Sequence, residues 1–393
     1  MDRRTLDYLK GRFGDHYRRS NVLPPKAANE REWGYIPWSE GTTTMVRHNS
    51  FLDLAGGGSL GEFLSTERPR HVYFSTGQYD HPGADGMEQK GWRGSDLVFD
   101  LDADHLPSVD PEADSYGEML SVCKDALLRL LDLLEVDFAF QDVTVVFSGS
   151  RGYHVHVRDP DVLELGRRAR REIVEYVLGT NLEFDDVLGG ETVAGPAGRS
   201  SPALKRTLPD GGWASKTNDR LNEFLDELLE LDEDEAMDRL QSFRGIGSGK
   251  ASAVLTAARA NREVIREGNV DVHPAVYSLA GSLFESVVEE RSAPIDEPVT
   301  TDVNRLIRLP GSLHGGSGLE VLPLDRDAVS DFDPLVDAVP DTFVGNDITI
   351  SVEEESVVEL RGETFRLSAG LNTVPEYVGV FTMARGRAEK ARE

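Results

Sequence analysis

Two aspartates, Asp100 and Asp102, have the residue type and spacing that most directly suggest chemistry in this chain. They stand two apart in the apolar run DLVFDLD (96–102), so in a strand both carboxylates point to the same side. Like charges this close raise each other's pKa unless a cation neutralises them, and carboxylate oxygens suit Mg²⁺ or Mn²⁺. This spacing is common in an acidic chain, where an exposed strand end is the alternative, but the continuous apolar face of the strand favours a metal site.

A second group of candidate residues lies in SGSRGYH (148–154), which follows a predicted buried strand. Its two glycines allow close approach of the backbone to a ligand, and Ser148 and Arg151 offer donors for phosphate oxygens. His154 lies on the strand that follows and can point toward the same ligand. The alternative interpretation is a hairpin with glycines in its turn and surface histidines.

The third group lies in IDEPVTTDVNRLIRLPGSLHG (295–315). Arg308 and His314 flank a Pro-Gly pair and can bind a triphosphate. Asp296 is predicted to precede a strand. From the residues alone, Asp296 and Asp302 are equal candidates for a third carboxylate beside Asp100 and Asp102.

The elements that must position these residues have clear periodicities. Leu6, Leu9 and Phe13 predict an amphipathic helix at the start of the chain, 116–134 predicts a second helix, and 143–147 predicts a strand. The pattern is helical from 165 to 291, interrupted by the Gly- and Pro-rich stretch 188–212. We therefore predict an α/β (α+β) fold of mixed sheets flanked by helices.

The predicted domains are a catalytic core formed by 1–164 and 292–346, a mainly helical insertion at 165–291, and a C-terminal extension at 347–393. For the extension the pattern predicts short strands and a polar C-terminal helix, and it assigns no role.

Composition restricts the class of protein. The chain has 393 residues, 39% of them hydrophobic, and contains no apolar run near the roughly 20 residues that span a bilayer. The first residues lack the apolar core of a signal peptide. These features predict a soluble, cytoplasmic protein without a membrane partner.

The charge is strongly negative, with 70 Asp plus Glu against 42 Lys plus Arg and a net charge of −28. Such a charge argues against nucleic acid as a ligand. However, Lys is scarce, with 8 Lys against 34 Arg, and an acid-rich, Lys-poor chain suggests a cytoplasm at very high salt, where charges are screened within about 3 Å at 1 M. The charge can therefore describe the solvent rather than the ligand.

Two clusters of basic residues weakly favour an anionic partner. One is the arginine-rich start of the predicted helix at 167–171, where positive charge opposes the helix dipole. The other comprises Arg199, Lys205 and Arg206 in the Gly- and Pro-rich stretch.

Several blocks taken together resemble the small, catalytic subunit of the archaeal and eukaryotic replicative DNA primase. They occur in order between about residues 30 and 325, and they are REWGY with VRHNSF (31–51), YFSTGQYDHP with GWRGSDLVFDLDADH (73–105), FSGSRGYHVHV (147–157) and DEPVTTDVNRLIRLPGSLHG (296–315). Ordered blocks discriminate far better than a single motif. The resemblance implies the mixed-sheet primase core with a helical insertion.

The resemblance also implies roles for individual residues. The family's D-h-D pair, where h is hydrophobic, falls on Asp100 and Asp102, and its third metal-binding aspartate falls on Asp296 rather than Asp302. Its nucleotide-binding positions fall on Ser148, Arg151, His154, Arg308, His314, Arg31 and Arg47.

One family feature is missing from this sequence. Family members commonly carry a small zinc site shortly after the D-h-D strand, but here that region holds only His105 and Cys123, and Cys123 is the single cysteine of the chain. Two ligands cannot make the four-coordinate site that structural zinc prefers. We therefore predict that structural zinc is absent.

The function implied by the resemblance is synthesis of short RNA primers, with DNA strands as a further product, on a single-stranded DNA template. Two Mg²⁺ or Mn²⁺ ions would serve nucleotidyl transfer from nucleoside triphosphates, and a primase large subunit would be the partner in a heterodimer. Two alternatives stay open at this point: a repair-type primase-polymerase of the same superfamily, and a non-catalytic nucleic-acid-binding subunit.

Overall fold

The computed structural model describes residues 1–39, 44–56, 58–110, 113–193 and 203–392. Helices and several small sheets alternate along the chain, which confirms the predicted α+β class. Within those ranges no helix is long and apolar enough to cross a membrane. The chain divides into two compact units, the first formed by Met1–Leu128, Phe140–Val174 and Pro294–Glu393, and the second by Arg129–Ala139 and Glu175–Ala293.

The helices have the following bounds: α1 (Arg3–Arg19), α2 (Phe51–Leu54), α3 (Leu60–Glu67), α4 (Met87–Lys90), α5 (Tyr116–Asp132), α6 (Pro160–Leu163), α7 (Arg167–Leu178), α8 (Gly212–Glu230), α9 (Glu233–Gln241), α10 (Ser248–Arg266), α11 (Pro274–Arg291), α12 (Glu297–Thr301), α13 (Pro334–Asp337) and α14 (Glu376–Ala384). The strands have the following bounds: β1 (Trp33–Ile36), β2 (Val46–Asn49), β3 (His71–Ser75), β4 (Gly77–Tyr79), β5 (Trp92–Ser95), β6 (Leu97–Asp102), β7 (Val143–Phe147), β8 (Gly152–Val157), β9 (Gly189–Val193), β10 (Ala203–Thr207), β11 (Leu306–Arg308), β12 (Leu322–Leu324), β13 (Asp347–Val352), β14 (Ser356–Leu360), β15 (Glu363–Leu367), β16 (Gly370–Pro375) and β17 (Ala388–Lys390).

Two four-stranded antiparallel sheets of the first unit carry half of the candidate site residues. One has the strand order β11-β3-β1-β2 and the other β12-β7-β8-β6. In β6 the predicted alternation holds, because Leu97, Phe99 and Leu101 are buried while Asp100 and Asp102 are only partly buried. Strand β8 is buried along its whole length, which fixes the register of β6 against it.

The carboxylate of Asp96, immediately before β6, is buried among cations. It accepts both Nη2 contacts of Arg31, at 2.9 and 3.1 Å, and the Nε–H of Arg158 at 3.1 Å. Arg31 Nη1 also donates to the backbone carbonyls of Ser75 and Thr76, at 2.7 and 2.8 Å, where β3 ends. A single ion-pair cluster therefore ties the start of β6 to the end of β3.

Arg31, which the resemblance assigns to the nucleotide, is engaged within the protein in this structure. Its side chain is 1% exposed, and its Nε–H donates to the carbonyl of Lys26 at 2.9 Å, so every guanidinium N–H is used within the protein. Arg31 holds strands together and has no donor left for a ligand.

One arginine from each basic cluster that favoured an anionic partner is engaged within the protein. Arg170 of α7 is buried, and its guanidinium donates to the backbone carbonyls of Ser95, Asp96 and Leu165. Arg206 pairs with Asp271 at 2.8 Å and lies 3.9 Å from the centre of the Tyr277 ring. The third basic residue of that stretch, Arg199, lies outside the described residues.

The second unit is mainly helical, and α8, α9, α10 and α11 share one apolar core. The predicted helical stretch 221–240 is two helices, because α8 ends at Glu230 and Asp232 caps α9 by accepting the N–H of Glu235 at 2.9 Å. The Gly- and Pro-rich interruption contains the antiparallel hairpin β9–β10.

The C-terminal helix differs from the polar helix that we predicted. Every residue of α14 is buried, and the polar residues after it form β17 instead, which pairs with β13. The N–H of Lys390 donates to Thr5 Oγ1 at 2.8 Å, so the last strand is joined to α1. Apolar residues of α14 make this helix part of the core of the first unit.

Glu320 provides a test of the first unit's packing. It forms an isolated bridge with Leu313, and burial, with the nearby Asp341 charge, raises its pKa from 4.5 to about 7. Between these values the folded chain keeps a proton that the unfolded chain releases, so stability falls as pH rises. We expect Glu320→Gln to remove this fall and to raise the free energy of unfolding at pH 8 by about 1–3 kcal/mol.

The measurement is urea unfolding at fixed KCl from pH 5 to 8. Glu353→Gln, the same change at an exposed position, is the control and should leave the pH dependence intact. An unchanged pH dependence in Glu320→Gln would contradict the role of burial at this carboxyl.

Arg31→Gln tests the ion-pair cluster. Removing one cation leaves Asp96 with less compensation in a buried position, so we expect the free energy of unfolding to fall by roughly 3 kcal/mol or more. The control is Arg93→Gln, which breaks a partly exposed pair with Glu30 and should cost less than about 1 kcal/mol. If Arg31→Gln instead raised KM for nucleotide at unchanged stability, the structural role would be wrong.

Candidate active site

The pair Asp100 and Asp102 lies on one face of β6, as the spacing predicts. Asp100 stands directly opposite His154 in the β6–β8 register, and its Oδ1 is 3.4 Å from His154 Nε2. Burial, with smaller effects of Arg308 and Arg305, lowers the pKa of His154 to about 3, so this imidazole is neutral at physiological pH. A neutral ring beside a carboxylate can share a proton in a hydrogen bond without adding charge.

The loop that carries Asp296 is hydrogen-bonded to the same strand. The N–H of Asp296 donates to the carbonyl of Asp100 at 2.9 Å. The strand predicted after Asp296 is instead the short helix α12, in which Pro298 occupies the first turn, where a missing N–H costs nothing. Asp302 stands at the other end of α12.

The carboxylates of this site repel one another. Burial, together with the charges of Asp102 and Asp296, raises the pKa of Asp100 to about 6, although the charge of Arg308 opposes the shift. Asp102 and Asp296 are the carboxylates whose charges contribute most to this shift.

A pocket of about 480 Å³ contains these acids together with basic groups. The sequence predicted most of the charged residues that line this pocket but not Arg305, which is exposed and immediately precedes β11. Arg305 stands three residues before Arg308, so a search for paired basic residues near the third block would have found it. The charged and histidine residues that line the pocket are Arg47, Asp100, Asp102, His105, His154, Asp296, Asp302, Arg305 and Arg308.

Arg308 has unused donor capacity in this pocket. It pairs with Tyr73 in the β11–β3 register, and its guanidinium carbon is 5.8 Å from the centre of the Tyr73 ring. Its Nε is buried and has no hydrogen-bond partner within the described residues. A buried donor without a partner is costly unless a ligand satisfies it, so Arg308 is suited to an anionic ligand.

Arg47 is held in the pocket by Glu32. Its Nε and Nη2 donate to the two carboxylate oxygens of Glu32, at 3.0 and 3.3 Å, and Lys90 also pairs with this buried acid. Burial raises the pKa of Glu32, but the hydrogen bonds from Arg47 and Lys90 outweigh burial and hold it below its usual value. The carboxylate therefore stays ionised and fixes Arg47.

Besides Arg31, three of the predicted nucleotide-binding residues do not line this pocket. Arg151 pairs with Asp104, and His314 is buried with its ring centroid 4.8 Å from that of His71. Ser148 is buried too, and its N–H donates to the Gly152 carbonyl at 2.9 Å across the β7–β8 turn. The structure brings the three aspartates, His154, Arg308 and Arg47 together, and it leaves these three residues outside the group.

The carboxylates of Asp100, Asp102 and Asp296 have the chemistry that suits a hard divalent cation, but their side chains are not positioned as a complete coordination site. Carboxylate oxygens are the ligands that Mg²⁺ and Mn²⁺ prefer. Burial and the charges of Asp102 and Asp296 raise the pKa of Asp100, and a bound cation would favour its ionised form. Within the described ranges, no three His, Cys, Asp or Glu side chains are already placed to hold one ion. Binding therefore requires the aspartate side chains to turn toward a common point.

The two residues considered as zinc ligands lie in different surroundings. Cys123 is buried in α5, where its Sγ lies 3.8 Å from the Leu101 carbonyl and burial raises its pKa. His105 lines the carboxylate pocket instead. The absence of structural zinc stays a prediction.

Comparison with known proteins identifies the family. A family model described as the DNA primase small subunit matches residues 99–326. The chain is 70% identical over its full length to the DNA primase small subunit PriS of Natronomonas pharaonis and 62% identical to that of Haloarcula marismortui, with all of each chain covered. It is 38% identical to the PriS of Methanococcoides burtonii, over 99% of both chains. The chain therefore belongs to the DNA primase small subunit family.

Proposed function

We propose that this chain is the catalytic subunit of a primase that synthesises short RNA primers on single-stranded DNA by two-metal nucleotidyl transfer. The observation that carries the proposal is the pocket that Asp100, Asp102 and Asp296 share with Arg308, whose buried Nε has no hydrogen-bond partner within the described residues. Carboxylates of this kind hold divalent ions, and the arginines opposite suit a triphosphate. A non-catalytic subunit would have no need for a group of mutually repelling, partly buried acids.

In this proposal Asp100, Asp102 and Asp296 hold two Mg²⁺ or Mn²⁺ ions. Bound ions supply activation of the attacking 3′-hydroxyl and stabilisation of the departing pyrophosphate. Arg308 and Arg305 neutralise phosphate oxygens of the incoming nucleotide, and no covalent nucleophile is required.

The other basic residues have distinct proposed roles. Arg47, fixed by Glu32, faces the pocket from β2 and can contact the nucleotide. Neutral His154 keeps the Asp100 carboxylate oriented. Arg151 pairs with Asp104, and we assign it, with Ser148 and His314, to the nucleotide on the family resemblance alone.

The proposed partners are a primase large subunit, a single-stranded DNA template and nucleoside triphosphates. The acid-rich, Lys-poor composition suits a cytoplasm at high salt, and we propose that the chain works there. Activity is therefore best assayed in molar KCl.

Asp100→Asn tests the proposed chemistry. The amide keeps the size of the side chain but removes the charge that binds cations, so we expect nucleotide incorporation to fall by more than about 100-fold without loss of stability. The measurement is primer synthesis on a single-stranded template, with ribonucleotides or deoxyribonucleotides and each metal titrated. Glu353→Asn, at an exposed position, is the control. Synthesis at near wild-type rate by Asp100→Asn would refute the assignment.

The identity of the third carboxylate is tested by comparing Asp296→Asn with Asp302→Asn. Asp296 is hydrogen-bonded to the Asp100 backbone and shifts the Asp100 pKa, whereas Asp302 lies at the other end of α12. We expect Asp296→Asn to lose more than about 100-fold in incorporation and to require more metal, and Asp302→Asn to lose less than about tenfold. The reverse order would make Asp302 the third ligand.

A further inference from the structure

A second pocket of the first unit contains three arginines. Its volume is about 260 Å³, and residues from the N-terminal end of α5, from the β7–β8 turn, from β14 and from the end of α14 line it. Arg151 comes from the turn, whereas Arg385 and Arg387 come from the C-terminal segment to which the sequence assigned no role. None of these three arginines lines the carboxylate pocket.

Arg385 is a largely buried cation without a carboxylate partner. Its guanidinium carbon lies 4.3 Å from the centre of the Tyr116 ring and 5.1 Å from that of Phe381. Burial lowers its pKa, and the charges of Arg387 and Arg151 lower it further. Within the described part of the chain, no ion pair joins Arg385 or Arg387 to an acid, although acids outnumber bases 70 to 42 in the sequence.

Among the described residues, the two acids that line this pocket, Asp114 and Glu359, form no ion pair with its arginines. Asp114 lines the pocket, and its carboxylate accepts the backbone N–H of Asp110 at 2.8 Å. Glu359 also lines it but is exposed to solvent. Asp104 forms an ion pair with Arg151, but not with Arg385 or Arg387. A buried cation is normally paired or bound to an anionic ligand, because desolvation otherwise disfavours it.

We propose that Arg385 and Arg387, with Arg151, bind a phosphate group of a nucleotide or of a nucleic-acid strand. Guanidinium groups match phosphate oxygens in geometry and charge. Leu335, Val358 and Phe381 also line the pocket, and these apolar side chains can pack against a sugar or base next to the phosphate. This inference rests on the geometry of the second pocket and does not depend on the proposed function of the carboxylate pocket.

The test is calorimetric titration of the full-length chain with tripolyphosphate, at the lowest KCl concentration that keeps its native circular dichroism. We expect Arg385→Gln and Arg387→Gln each to weaken one binding site about tenfold or more, because each removes a charged hydrogen-bond donor. Arg387 is exposed, so its variant should fold even if Arg385→Gln does not. Arg259→Gln, an exposed arginine of α10, is the matched control and should bind as the wild type does.

Arg308→Gln separates this inference from the proposed function. This variant should keep wild-type affinity for tripolyphosphate at the site that depends on Arg387. If tripolyphosphate binding is lost only in Arg308→Gln and is unchanged in Arg385→Gln and Arg387→Gln, the inference is overturned while the carboxylate pocket keeps its proposed role. Titrations of the same variants with ATP and with a short single-stranded oligonucleotide identify the source of the phosphate, which is the ligand whose affinity falls in Arg387→Gln.

Discussion

The buried carboxylate of Asp96 is the interaction on which the placement of the candidate active site depends. It stands immediately before the strand that carries Asp100, and its main partner, Arg31, also binds the backbone at the end of β3. Strand β3 pairs with β11, which carries Arg308. One ion-pair cluster therefore fixes the acidic strand and the basic strand of the pocket relative to each other. Loss of a cation from such a cluster leaves buried charge uncompensated, which is why a residue remote from the pocket can control its geometry.

The elements with strong periodicity were predictable, because their patterns reflect local burial. The alternation in 96–102 gave the correct faces of β6, and the long helical patterns of the second unit correspond to helices. The errors fall where local pattern and tertiary context differ. The segment after Asp296 contains β-branched residues that favour a strand, yet Pro298 in its first turn starts a short helix. The polar end of the chain pairs as β17, since β13 offers it a free edge.

Roles of individual arginines were less predictable than the fold. Arg31 and Arg170 lie in motifs or clusters that suggest anion binding, but their donors are used by backbone carbonyls from distant parts of the chain. Nothing in the local sequence reports which carbonyls will surround a guanidinium, because those contacts form only on folding. Arg308 and Arg31 both lie in sequence blocks that suggest nucleotide binding. They differ in the structure, because the buried Nε of Arg308 has no hydrogen-bond partner within the described residues.

The net charge of −28 does not describe the ligand-binding surfaces of this chain. At molar salt, charges are screened over about 3 Å, so a distant excess of acid contributes little to the potential at a phosphate. Contacts at hydrogen-bond distance within partly buried pockets keep most of their strength, because salt and water are excluded from them. A polyanion can therefore bind an acidic protein under these conditions if the arginines that touch it are desolvated and held in place. Arg47, clamped by the buried Glu32, meets the second condition, and the buried Nε of Arg308 meets the first.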